Sequence, residues 1–160
     1  TLHPRSAGFV MGWRDDGMFA GRWGRAGSGL LLTTGTRVLL TLRSGEVLEP
    51  WTWGVPGGAI PVDAMGRPMD ALRSAMKEAQ EELGRLPSMS PPIGLCVYRE
   101  DRFSYTTFVV SVPESATRTR FRLNWENDAA GWFGRDELAD LELHFGTEYA
   151  LDELGPVLWR

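Results

Sequence analysis

Cysteine is all but missing. Cys96 stands alone among 160 residues, so no intrachain disulfide can form and no set of thiolates exists for a cysteine-ligated zinc site. Long apolar runs are missing too: nothing approaches the roughly eighteen residues that a membrane-spanning helix needs. The opening stretch TLHPRSAGFVMGWRDDG lacks the basic-then-apolar layout of a secretory leader. Charge of one sign is nowhere concentrated. Lys+Arg number 17 against 21 Asp+Glu, a net −4, with no block of about five like charges. That excludes a nucleic-acid groove held by bulk positive charge. The expectation is a cytoplasmic protein with neither a nucleic-acid nor a membrane partner. A polyanionic small substrate stays open, because a bound divalent cation reverses the local sign of an acidic site.

What is present suits one globular domain over residues 1–160. With 42% hydrophobic residues the chain can bury a real core, and it shows no repeat, low-complexity tract or linker. Residues 8–24, GFVMGWRDDGMFAGRWG, read as a hairpin around Asp15-Asp16-Gly17. Leu30 to Thr33 and Val38 to Leu42, joined by a Thr-Gly-Thr turn, read as two central strands. The period then changes over residues 66–84, where Leu72, Ala75, Met76, Ala79 and Leu83 recur at steps of three and four. Pro68 near the start and Gly84 at the end bound a helix. Strands follow at 91–100 and 102–114, then a short strand and a short helix over 129–141. A last helix breaks near Gly155-Pro156. Strands and helices mixed in this way give an α/β fold.

Two features carry the chemistry. In KEAQEELG, residues 77–84, Glu78, Glu81 and Glu82 lie at steps of three and four on one side of the helix, away from its apolar stripe. They are either a solvated acidic face or the ligands of a hard, oxygen-seeking cation such as Mg²⁺ or Mn²⁺. About twenty residues earlier, WGVPGGAI ends a strand in a Pro-Gly-Gly turn, and glycines there let backbone approach a ligand closely.

WGVPGG followed by KEAQEELG resembles the Nudix box of the Nudix (MutT-like) hydrolases, G-x5-E-x7-R-E-U-x-E-E-x-G-U with U a bulky apolar residue. Lys77 stands at the Arg position and Ala79 in the first U slot, and the resemblance runs over about residues 25–140. Eighteen residues separate Gly58 from Lys77 where the pattern has thirteen. The first Glu of the pattern therefore falls on Met69, leaving Asp70 or Asp63 to pair with Lys77. Arg85 replaces the final apolar residue, with Leu86 behind it.

The resemblance implies a Nudix fold, a mixed β-sheet sandwiched between helices (α/β/α). It implies that Glu78, Glu81 and Glu82, with a backbone carbonyl near Gly58, hold Mg²⁺ or Mn²⁺, and that a nucleoside diphosphate derivative is hydrolysed to a nucleoside monophosphate. Such metals neutralise the pyrophosphate and lower the pKa of the attacking water. A carboxylate takes the proton, for which Glu82, Glu81 or a loop acid is the candidate. Glu126, six residues before Trp132, is the loop candidate for metal and base, and Asp128 is the alternative. Arg43 is the candidate for a phosphate. Trp51 and Tyr105 are the candidate substrate-binding aromatics, with Trp23 and Phe103 behind them, and core packing is the alternative for each of the four. His3 and His144 have no assigned role, and Cys96 reads as core.

Subgroup signatures for coenzyme A, ADP-ribose and dinucleoside polyphosphates are incomplete. Leu48 and Thr52 stand where the first expects Arg and Gly, Asp101 stands where the second expects Pro, and only Phe103 and Tyr105 approach the Tyr of the third. A nucleoside triphosphate or nucleotide sugar is the resulting expectation. The alternatives are a non-catalytic Nudix-fold nucleotide sensor and a partner-binding domain. A homodimer is what related enzymes suggest.

Overall fold

The computed structural model describes residues 25–160. The hairpin expected over 8–24, with Trp23 and His3, lies outside them. Strands β1 (Arg25–Thr33) and β2 (Arg37–Arg43) form the central hairpin, and β3 (Trp53–Gly54) pairs with β2. The strand β4 (Gly57–Ala59) pairs with β1. Helix α1 (Ala71–Leu83) leads to the antiparallel pair β5 (Pro92–Glu100) and β6 (Phe103–Ser111). After a 3₁₀ turn at Glu114–Arg118 come β7 (Asn127–Gly134), a second 3₁₀ turn at Arg135–Asp140, and α2 (Phe145–Leu158). The seven-stranded sheet runs β3-β2-β1-β6-β5, with β4 on β1 and β7 on β2. It is mixed, because β1 and β6 run parallel across nine residue pairs.

Alternation along β1 builds two cores. Leu30 and Leu32 join Leu39, Ala75, Ala79 and Leu83 under α1, while Leu31 joins Val38, Leu40, Leu151, Leu154 and Leu158 under α2. Successive strand residues face opposite sides, so two helices sandwich the sheet as an α/β/α unit. No helix among the described residues is long and apolar enough to cross a membrane.

Four expectations need correction. Helix α1 starts at Ala71, because the Asp70 carboxylate accepts the Arg73 N–H as N-cap. Met76 is 38% exposed and outside the stripe. Pro156 does not break α2, which runs on to Leu158. The carbonyl it leaves without a donor belongs to exposed Asp152, which solvent can reach. Finally, Gly57-Gly58 is strand and not turn, and neither residue takes a positive φ.

Candidate active site

The glycine pair is needed for space. A Cβ on Gly57 would overlap the Tyr105 hydroxyl and the Ser28 carbonyl, and a Cβ on Gly58 would stand 2.6 Å from Glu78 Oε1. Strand β4 can therefore lie flat between β1 and the carboxylate helix. From this position the Gly57 N–H donates to Glu82 Oε2 at 3.2 Å, and the Asn127 amide donates to Glu82 Oε1 at 2.9 Å.

Glu82 is only 6% exposed, which corrects the expectation that all three carboxylates lie away from the apolar stripe. One helical turn from Ala79, it sits at the edge of the apolar stripe. Burial pushes its carboxyl up to about 8; the Asn127 and Gly57 bonds oppose that rise, and the charges of Glu126 and Glu78 add to it. Glu78 is half-buried against Gly58. Glu81, by contrast, is exposed and accepts a 2.8 Å hydrogen bond from Lys77 Nζ.

Lys77 thus pairs with Glu81 and with neither Asp70 nor Asp63. Asp70 is occupied as the helix cap. Asp63 accepts from Met65 N–H, Arg67 N–H and Arg67 Nε within its own loop. That loop closes on itself through Met69 N–H to the Pro61 carbonyl, so the five extra residues bulge into solvent and leave both halves of the box in register.

The loop before β7 caps the end of α1. Arg122 N–H donates to the Leu83 carbonyl at 2.7 Å and Asn124 N–H to the Glu82 carbonyl at 3.2 Å, satisfying helix carbonyls that would otherwise be orphaned. It brings Glu126 within reach of the Glu82 charge, with its Oε1 accepting from Asn124 Nδ2 at 3.0 Å. Asp128 is exposed. Asn127 was not singled out in sequence because an amide beside two acids carries no motif signal.

Arg43 lies beside this group at a bulge in the β2–β7 pairing. Its Nε and Nη2 both donate to the Leu48 carbonyl, at 2.9 and 2.6 Å. Burial lowers its pKa from the ordinary value, against the raising effect of Glu82. Burial, reinforced by the Glu82 charge, raises that of the Tyr105 phenol under Gly57. Trp51 is 56% exposed on the loop after β2. Phe103 is core. Cys96 packs against the α2 cluster, its thiol pushed up to about 11 by burial. His144 is buried and caps α2 through the Gly146 N–H.

The fold has close counterparts among solved structures. The chain is similar to the M. smegmatis Nudix hydrolase RenU at 26% identity, with 85% of each chain covered and a TM-score of 0.66. It is similar to a MutT Nudix hydrolase from Burkholderia pseudomallei at 25% identity, over 81% of this chain and 97% of that one, with a TM-score of 0.56. These likenesses support the Nudix reading of the box. The Nudix domain of Shewanella oneidensis NrtR, solved with ADP-ribose, shares the fold at 16% identity over 88% and 92% of the two chains, with a TM-score of 0.61. The sequence matches no family model and no curated protein.

Nudix hydrolases generally use divalent metals. The donor set at this Nudix box suits one in chemistry: all donors are hard oxygens, and buried Glu82 carries two neighbouring carboxylates whose repulsion a cation would relieve. Among the described residues no three acidic, His or Cys side chains already converge on one point. Glu81 is turned to Lys77 and Glu126 to Asn124, so both would have to swing to join Glu82.

Proposed function

We propose that the chain is a Nudix hydrolase that cleaves the pyrophosphate linkage of a nucleoside diphosphate derivative, of nucleoside triphosphate or nucleotide-sugar type, and releases a nucleoside monophosphate. Glu78, Glu81, Glu82 and Glu126, with backbone at Gly58, would hold Mg²⁺ or Mn²⁺. One observation carries this reading: Glu82 is buried between the Gly57 N–H and the Asn127 amide with the charges of two further glutamates on it. Such an arrangement costs folding free energy and is kept where a site uses it. A binding or structural module has no need of it.

When bound, divalent cations neutralise the pyrophosphate and lower the pKa of the attacking water. The chain supplies the rest. Two donors fix Glu82 in a single orientation, which is pre-organisation of the kind that catalysis rewards. Glu126 or Glu81, which solvent can reach, accepts the proton of the attacking water. Arg43 offers positive charge to a phosphate, Trp51 borders the substrate, and Tyr105 supports the glycine strand from beneath.

The test is a divalent-dependent hydrolysis screen over nucleoside triphosphates, oxidised nucleotides, ADP-ribose, nucleotide sugars, dinucleoside polyphosphates and coenzyme A. Glu82→Gln should lower kcat by roughly 10²- to 10⁴-fold. Equal turnover by the variant would sink the site assignment.

A further inference from the structure

Three of the tryptophans among the described residues, Trp53, Trp132 and Trp159, are half-buried, whereas Trp51 is 56% and Trp125 is 66% exposed. Both exposed residues stand at the candidate active site. The Ser44 N–H donates to the Glu126 carbonyl at 2.9 Å, tying the loop after β2 to the loop before β7. Trp51 N–H donates to the carbonyl of Arg43, next to Ser44, and Trp125 immediately precedes Glu126. Each indole therefore springs from backbone beside the same cross-loop contact. Between them lie Arg43 and Glu126, whose charges both reach Glu82.

The loop that carries Trp51 is braced. Arg43 holds the Leu48 carbonyl through two nitrogens, and the Thr52 hydroxyl donates to the Glu49 carbonyl at 2.8 Å. Trp51 takes a φ of 63° and Glu49 one of 54°, left-handed conformations that residues with a Cβ avoid unless the surroundings enforce them. The indole lies across Gly45, where a Cβ would stand 2.9 Å from Trp51 Cζ2. A large apolar ring is thus held in a strained pose and left in water, and folding gains little from either. Two exposed indoles rooted beside one cross-loop contact at the candidate site point to a ligand that covers them.

We propose that Trp51 and Trp125 are aromatic lips that take the flat base of the substrate, reading it by stacking and not by hydrogen bonds. The inference rests on the nucleotide hydrolase reading above and deepens it. Every base offers a π-face, and an indole face carries no donor or acceptor to tell one from another. The site should therefore accept purine and pyrimidine nucleotides with little discrimination, the phosphates facing the glutamates and Arg43.

The experiment compares wild type with Trp51→Leu, Trp125→Leu and Trp125→Phe. It measures KM and kcat for a purine and a pyrimidine nucleotide, the inhibition constant of tripolyphosphate, which has no base, and the quenching of tryptophan fluorescence by nucleoside monophosphates in EDTA. The Leu variants should raise nucleotide KM on the order of ten-fold, with kcat moved far less and tripolyphosphate inhibition unchanged. Trp125→Phe should restore most of the loss. Unchanged KM in both Leu variants, or an equal loss for tripolyphosphate, overturns the lips and leaves the hydrolase reading standing. If wild type hydrolyses no nucleotide, that reading fails and quenching alone decides: quenching in wild type that is lost in the double Leu variant supports the lips, and its absence in wild type overturns them.

Discussion

Against the sheet, α1 lays Ala75 and Ala79, a buried carboxylate, Glu82, and one large side chain, Leu83, whereas α2 lays Ala150 among the larger Phe145, Leu151, Leu154 and Leu158. Small residues let a helix approach its sheet closely, and that approach is what brings Glu82 within hydrogen-bond reach of the Gly57 N–H on β4. Large residues fill volume and bury apolar area, which is the main source of folding free energy. The ends differ in the same sense. Helix α1 is capped by Asp70 and by Gly84 at φ 80°, and its last carbonyls are taken by the loop that carries Asn127. Helix α2 tolerates Pro156 near its end. Position matters in the first helix and volume in the second.

The largest effect expected is on α2. Leu154 is 3% exposed, and Leu154→Ala should cost about 2–5 kcal/mol in a urea unfolding series, while kcat of the protein that remains folded is preserved. Loss of kcat in fully folded Leu154→Ala would break the contrast between the helices.

On α1 the matching experiment is a pH series in EDTA. Glu82 is held at about 8 against an ordinary 4.5, chiefly by burial. Between those values the folded state binds the extra proton. The stabilisation is therefore fully present below 4.5 and is lost as pH rises through about 8, an order of a few kcal/mol. Unfolding midpoints of metal-free wild type should fall across that window, and those of Glu82→Gln should stay flat. Identical slopes would mean that Glu82 is ionised when folded, and its burial would then need another explanation.

Asn127 comes next. Its amide fixes Glu82 Oε1 from a position only 7% exposed. Asn127→Ala should weaken divalent-ion affinity, read by titration calorimetry, by about 10- to 100-fold, with a smaller change in stability than Leu154→Ala. A divalent affinity equal to wild type would leave Asn127 as packing alone.

Much of this contrast was legible in the sequence, and the exceptions share a cause. Leu30 to Thr33, Val38 to Leu42 and the Leu72/Ala75/Ala79/Leu83 stripe announce themselves through local period, and the glutamates through helical spacing. Three things depended on elements far apart in the chain. Burial of Glu82 is set by β4 and by Asn127, 45 residues away. The glycine pair is strand because β1 lies beside it, and its need for space comes from Tyr105. Trp125 comes beside the candidate active site because Ser44 bonds the neighbouring Glu126 and α1 holds the same loop through Arg122 and Asn124. Periodicity reports which face a residue occupies, but not what another strand brings to that face.

The smallest effect separates Glu81 from its neighbour Glu82. Lys77, the single lysine of the chain, meets Glu81 at 2.8 Å with side chains 56% and 50% exposed. The bond to Glu81 raises its pKa. A surface pair one turn apart, with the cation on the N-terminal side, is screened by solvent and contributes little, so Lys77→Met should leave the urea unfolding midpoint close to that of wild type. Because no second lysine interferes, ¹³C-methylation of Lys77 gives one side-chain ammonium signal to follow by NMR. If Glu81 leaves Lys77 for a cation, the pKa of that signal should fall when Mg²⁺ is added to wild type, and should not move in Glu81→Gln. A Lys77 signal indifferent to Mg²⁺ in wild type would take Glu81 out of the metal set and leave Glu78, Glu82 and Glu126 to hold the ion.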